Sequence, residues 1–116
     1  METDKFAHYF LSATIVDLFD VIKIIDDASN YRMDIYLDEK KSLPSELKNS
    51  NSISYGFTEE VIIQDFPIRG KGVYLHLRRR KWLNKTTNQI ITRKLDLTHN
   101  GTDLTKDFVA FLKATN

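Results

Sequence analysis

Residues 73–82 read VYLHLRRRKW. Val73, Leu75 and Leu77 alternate with Tyr74, His76 and Arg78, and the alternation continues through Arg80 and Trp82. Successive side chains of a β-strand point to opposite faces. A regular strand over this stretch therefore turns Val73, Leu75 and Leu77 toward a core and Tyr74, His76, Arg78, Arg80 and Trp82 to the other side. Arg79 and Lys81 fall on the core-side parity, beyond the apolar residues, and mark where the strand leaves the core. A bulge in the arginine run would exchange Arg79 for Arg80. Before the strand, IRGKG (68–72) is a turn with two glycines. After it, NKTTN (84–88) is a polar turn and QIITRKL (89–95) a further strand, so the two strands pair as a hairpin.

Further toward the N-terminus, EEVIIQDF (59–66) is β-rich and Pro67 ends its regular pairing. KKSLPSELKNSNS (40–52) is a loop inside one domain, with one helical turn near Pro44. YRMDIYL (31–37) alternates apolar and polar residues, and VIKII (21–25) is β-branched; DDASN (26–30) joins them as a hairpin over 21–38. Residues 5–20 carry Phe6, Tyr9, Phe10, Ala13, Val16, Leu18 and Phe19 at helical spacing, as one helix or, if Ser12 and Thr14 interrupt it, two. At the other end, Thr102 or Asp103 caps a helix over 102–114 with a stripe of Leu104, Phe108, Phe111 and Leu112. The expectation is a single α+β domain over 1–116: an N-terminal helix or helix pair, about five mostly antiparallel strands with a basic β-region over 53–95, and a C-terminal helix.

The 116 residues include no cysteine, which excludes disulfides, thiolate metal sites and cysteine nucleophiles. The N-terminus lacks the pattern of a signal peptide, and no apolar run approaches the ~20 residues of a membrane span. A cytoplasmic protein without membrane contact is expected. The net charge of +1 hides an asymmetry: residues 1–58 carry 6 Lys+Arg against 10 Asp+Glu, and residues 59–116 carry 11 against 6. Between Arg69 and Lys94 there are nine cations and no acid. Arginines interleaved with aromatics suit nucleic acid, because guanidiniums neutralise phosphates and aromatic faces stack on bases. The competing reading is a solvated sheet edge whose cations deter pairing, with Arg80 resting on Trp82.

Catalytic signals are missing. His8, His76 and His99 lie far apart in sequence, without metal-ligand spacing, and read as one core-edge and two exposed histidines. The acidic pairs Asp26–Asp27, Asp38–Glu39 and Glu59–Glu60 read as solvated acids at turns and strand ends rather than as converging catalytic carboxylates. No nucleophile elbow or phosphate loop is present. No enzyme activity, metal or cofactor is expected.

The run IQDFPIRGKGVYLHLRRRKW (63–82) resembles a segment of bacterial insertion-sequence transposases of the DDE type, through Asp65, Pro67, Gly70, Val73, Leu75, Arg78, Arg79, Arg80 and Trp82. In that family the segment belongs to an N-terminal zinc-ribbon-like DNA-binding module. The resemblance is strongest to a cysteine-free variety in which the short N-terminal region is a separate reading frame, and it extends to YLDEK (36–40) and GTDLTKDFVAFLK (101–113), about two-thirds of the chain. It implies recognition of transposon-end DNA by a non-catalytic region, with the catalytic carboxylates on a separate transposase polypeptide. The departure is the missing cysteine pairs: LNKTT (83–87) follows Trp82, so packing rather than metal must hold the hairpin.

The expected DNA surface follows from the first strand. Arg78, Arg80 and Lys81, with Arg79 in the same run, contact phosphates or groove edges; Tyr74 and Trp82 pack on sugar or base; Arg69, Lys71, Lys85, Arg93 and Lys94 extend the basic track. The alternative is a protein-interaction module that docks the catalytic subunit or pairs with itself as a homodimer, anchored by an exposed Trp82.

Overall fold

The computed structural model describes residues 11–114. Its elements are α1 (Ala13–Leu18), β1 (Phe19–Asp27), β2 (Arg32–Glu39), β3 (Ser52–Phe57), β4 (Val61–Ile68), β5 (Lys71–Arg78), β6 (Arg80–Asn84), β7 (Gln89–Thr92) and α2 (Lys106–Ala114). The α+β class is as expected, but the described residues form seven strands in two sheets rather than about five. One sheet has four strands in the order β1-β2-β5-β4, the other three in the order β3-β6-β7. Among the described residues no helix is long and apolar enough to cross a membrane.

The four-stranded sheet is two local hairpins set side by side. β1 and β2 are antiparallel, as are β4 and β5, and the hairpins meet where β2 runs parallel to β5. The second hairpin turns through Arg69 and Gly70, both at positive φ (49° and 79°), between the paired residues Ile68 and Lys71. A two-residue turn with both φ values positive matches the strand twist, and glycine takes that conformation without cost. Pro67, which has no N–H to donate, sits where the register shifts between Asp65 and Ile68, on an edge strand.

Hydrophobic alternation decides which face packs. Met33, Ile35 and Leu37 lie opposite Val73, Leu75 and Leu77 across the parallel pair, and Ile63 lies opposite Leu75 on the other side. Ile35 and Leu75 are fully buried. Leu11 and Ile15 belong to the same cluster, with Leu95 and Leu97 packed against it. The expected helix over 5–20 is helical only at Ala13–Leu18 among the described residues, with Ser12 as its N-cap; residues 5–10 lie outside them. Phe19, expected in that helix, instead begins β1 opposite Glu39 and is buried at 2% exposure. The β-branched run that follows lengthens the strand toward the N-terminus.

The run expected as one strand over 73–82 breaks at Arg79. β5 ends at Arg78 in the four-stranded sheet, and β6 begins at Arg80 in the three-stranded one. The backbone N–H of Arg79 donates to the Thr58 hydroxyl, and its carbonyl accepts from the Thr58 N–H, so this residue is bonded to neither ladder. Of the expected hairpin between 73–82 and 89–95 only the end forms, β6 pairing with β7 from Lys81 to Asn84, while β5 pairs instead with β2 and β4.

α2 starts later than expected, at Lys106, because Thr105 rather than Thr102 or Asp103 supplies the cap. The Thr105 hydroxyl accepts from the Phe108 N–H at 3.2 Å and donates to Asp65 Oδ1 at 2.7 Å, which ties the helix to β4. Phe108 is buried and packs near Phe66 with Phe111 beside it. Burial raises the Asp65 carboxyl above the usual aspartate range, against the Thr105 and Phe66 hydrogen bonds that lower it. An acid with a raised folded pKa takes up its proton more readily when folded, so its ionisation weakens the fold as pH rises through that value. Asp65→Asn, which keeps an acceptor for Thr105, is therefore expected to resist urea better than the parent at pH 7. The difference should vanish below the ordinary aspartate value of about 3.9. Thr105→Ala is expected to cost about 2 kcal/mol in the same assay, from the lost cap and the abandoned carboxylate.

Candidate nucleic-acid interface

Glu39, at the end of β2, is 1% exposed, although the sequence reads it as a solvated acid. Its Oε1 accepts from Arg79 Nε at 3.1 Å and from the Arg80 backbone N–H at 3.0 Å, and its Oε2 accepts from Arg93 Nε at 3.2 Å. Arg79 also donates to the Arg93 carbonyl, and Arg93 to the Ser42 carbonyl at 2.6 Å. Glu39 belongs to the four-stranded sheet, Arg79 is the joint, and Arg93 follows the last strand of the three-stranded sheet. Two of the cations expected on DNA therefore clamp the sheets together. A buried carboxylate needs such partners to offset its lost hydration.

Other expected contact residues are also engaged. Trp82 is 4% exposed, so it is neither a base-stacking platform nor an exposed anchor. The break at Arg79 is the physical reason, because it carries Trp82 into the other sheet. Arg78 forms a two-point pair with Asp38, at 2.7 and 2.6 Å, which holds its guanidinium even more firmly protonated. Lys71 binds Asp26 at 2.7 Å. The Tyr74 ring lies under the Arg32 guanidinium, 3.9 Å away. Arg80 bonds Ser54 and, with Arg78, flanks the Phe57 ring, each 4.4 Å from its centroid. Arg69 is exposed in the β4–β5 turn. β5 separates that turn from the three-stranded sheet by eight residues, about 26 Å at ~3.3 Å per residue, so the track does not run unbroken. Lys85 and Lys94 are exposed and Lys81 half-buried.

A second polar cluster was not anticipated. His76, expected exposed, is 6% exposed. Its Nε2 lies 2.6 Å from Asp34 Oδ1, its Nδ1 lies 2.8 Å from Glu60 Oε1, and its ring stacks on Tyr36 at 4.1 Å. Arg32 grips the same Asp34 with Nε and a terminal nitrogen. The Arg32 guanidinium and then His76 hold the Asp34 carboxyl below the usual aspartate range. The two carboxylates bind opposite ring nitrogens and do not converge on one point, so the cluster braces β2 against β5. Sequence alternation puts His76 on the polar face, but only the parallel pairing of β2 and β5 brings Asp34 to it. His99 is half-buried, and His8 lies outside the described residues.

The structure sorts charge by sheet. The strands of the four-stranded sheet carry Asp20, Asp26, Asp27, Asp34, Asp38, Glu39 and Asp65 together with Lys23, Arg32, Lys71 and Arg78. The three strands of the other sheet contain no acid. Pairing places Ile53, Leu83 and Ile90 in one cross-strand row, and Lys81 lies on the same side, with its ammonium 5.6 Å from the centre of the Tyr55 ring. Ile53, Tyr55 and Ile90 are about half exposed, at 44%, 49% and 53%. This face was not singled out from the sequence, because β3 lies 23 residues before its partner β6 (57 to 80) and reads there as loop and strand start.

Compared with known protein families, curated proteins and solved structures, the chain gives no match. The clamp leads to a direct expectation for stability. Glu39→Ala strands two guanidiniums in a desolvated joint and is expected to cost about 3–5 kcal/mol in chemical unfolding. Lys85→Ala, in an exposed turn, is expected to change stability by less than about 0.5 kcal/mol.

Proposed function

We propose that this chain is a non-catalytic DNA-binding region of an insertion-sequence transposase, and that it binds duplex DNA through the outer face of its three-stranded sheet. The observation that carries the reading is the absence of any acid from that sheet, with Lys81 and Lys85 beside exposed Tyr55, Ile53 and Ile90. Cations without carboxylate partners release counterions from phosphates and supply affinity. By contrast, Lys71 and Arg78 are held by aspartates, and Arg79 and Arg93 by Glu39. The contact set proposed here is Lys81, Lys85 and Lys94, with Tyr55 beside Lys81. Strand cleavage and joining then belong to a catalytic transposase subunit on another polypeptide, and the site of action is the bacterial cytoplasm. The resemblance of 63–82 to the transposase module supports transposon-end DNA as the target.

A salt titration of binding to labelled duplex tests the proposal. Lys81→Glu combined with Lys85→Glu is expected to weaken binding at least tenfold at low salt and to flatten the dependence of log K on log salt by about 1–2 units. Arg69→Glu, at the far end of β5, is expected to change affinity less than threefold. Equal binding by the parent and the Lys81/Lys85 variant would overturn the assignment of this face. No binding by the parent would favour the protein-docking alternative.

A further inference from the structure

We infer that the row Ile53–Leu83–Ile90 reads thymine methyl groups in the major groove, so that the chain prefers A·T-rich duplex by apolar contact. This inference rests on the DNA-binding reading above and specifies how that binding discriminates.

The row is built by register. Leu83 pairs with Ile53 on one side and Ile90 on the other, so the three side chains share one face across β3, β6 and β7. Ile53 and Ile90 leave about half their surface in water, at 44% and 53%. Strands spaced ~4.8 Å apart make the row about 10 Å wide between outer strands, comparable to a major groove about 12 Å across. Lys81 two residues before Leu83 and Lys85 two residues after it bracket the row with positive charge, and the sheet carries no acid to repel phosphate. An apolar protein partner would be an equal fit to the row alone; the unopposed cations around it select a polyanion.

The chemistry of the face then selects the base. Guanine is read in the major groove by arginine or lysine and adenine by asparagine or glutamine, through paired donors and acceptors. Beside the row this face offers Tyr55, Lys81 and, by its register with Lys81, Thr92, and no guanidinium or amide. Arg80 and Gln89 fall on the opposite parity, the Arg80 guanidinium being bonded to Ser54 there. Lys81 stands over the Tyr55 ring, so the row itself meets the bases with aliphatic surface, and the thymine C5-methyl is the one apolar group that the major-groove edges present. The minor groove has no methyl group, so the same contact cannot be made there.

The test compares two alternating DNA duplexes that differ only in that methyl group, poly(dA-dT) and poly(dA-dU), as competitors for a labelled duplex, with the full chain at low salt. The parent is expected to bind the thymine polymer more tightly, by about fourfold for each methyl buried. The preference should disappear in Ile53→Ser/Ile90→Ser while binding to the uracil polymer is retained; both positions are exposed, and circular dichroism checks that the variant is folded. Equal affinity of the parent for the two polymers would overturn methyl readout and leave DNA binding standing. A thymine preference that survives in the double variant would overturn the assignment to this row. Failure to bind either polymer would overturn this inference together with the proposed function.

Discussion

Glu39 is the constraint on which the arrangement of the two sheets depends. A carboxylate at 1% exposure has lost its water, and only strong, well-aimed donors make that burial tolerable. Here they come from Arg79, the Arg80 backbone and Arg93. Each belongs to a different part of the chain: the joint after β5, the first residue of β6, and the segment after β7. Satisfying one acid thus sets where the chain leaves the first sheet, where the second begins and where it ends. At the break both backbone groups of Arg79 bond to Thr58 instead of a ladder, and from this joint its guanidinium reaches Glu39.

The same constraint redistributes the positive charge. In sequence, nine cations from Arg69 to Lys94 form one block. In the fold, Lys71, Arg78, Arg79 and Arg93 meet Asp26, Asp38 or Glu39 and are neutralised in place. Those on or after the three-stranded sheet find no acid within it. A net charge of +1 therefore coexists with a local excess of positive charge on the three-stranded sheet. The two sheets divide the labour, one holding the core and the paired charges, the other presenting unpaired cations and half-exposed aliphatic side chains.

Much of the local structure was legible from residue patterns. The β1–β2 hairpin, the turn that leads from β6 into β7, the core face of Val73, Leu75 and Leu77, and the C-terminal helix all follow from alternation, turn chemistry and helical spacing, which act over a few residues. What was not legible depends on partners distant in sequence. Glu39 reads as one of a pair of surface acids until Arg79 and Arg93, 40 and 54 residues later, are brought to it. Trp82 reads as exposed while the strand is taken as continuous. The parity of residues 79–82 reverses meaning once the strand changes sheets, which is why Arg79, Arg93 and Trp82 moved from the expected interface into the structure's support. Among the described residues no acid pairs with half-buried Lys81 or exposed Lys85.

The parallel pairing of β2 and β5 governs how the chain can fold as well as what it becomes. Each hairpin of the four-stranded sheet closes over a few residues, but Ile35 meets Leu75 only across 40 residues of intervening chain. Closing a flexible loop of that length costs about 3 kcal/mol in chain entropy beyond a constant. That cost falls before the central strands have buried anything against each other. Contact order thus favours hairpins that close before they dock, and the docking rests on the apolar triplets Met33–Ile35–Leu37 and Val73–Leu75–Leu77. Until docking, β2 and β5 each leave one edge unpaired beside Ile35, Leu37, Val73, Leu75 and Leu77, the condition in which two nascent chains would join to each other rather than to themselves.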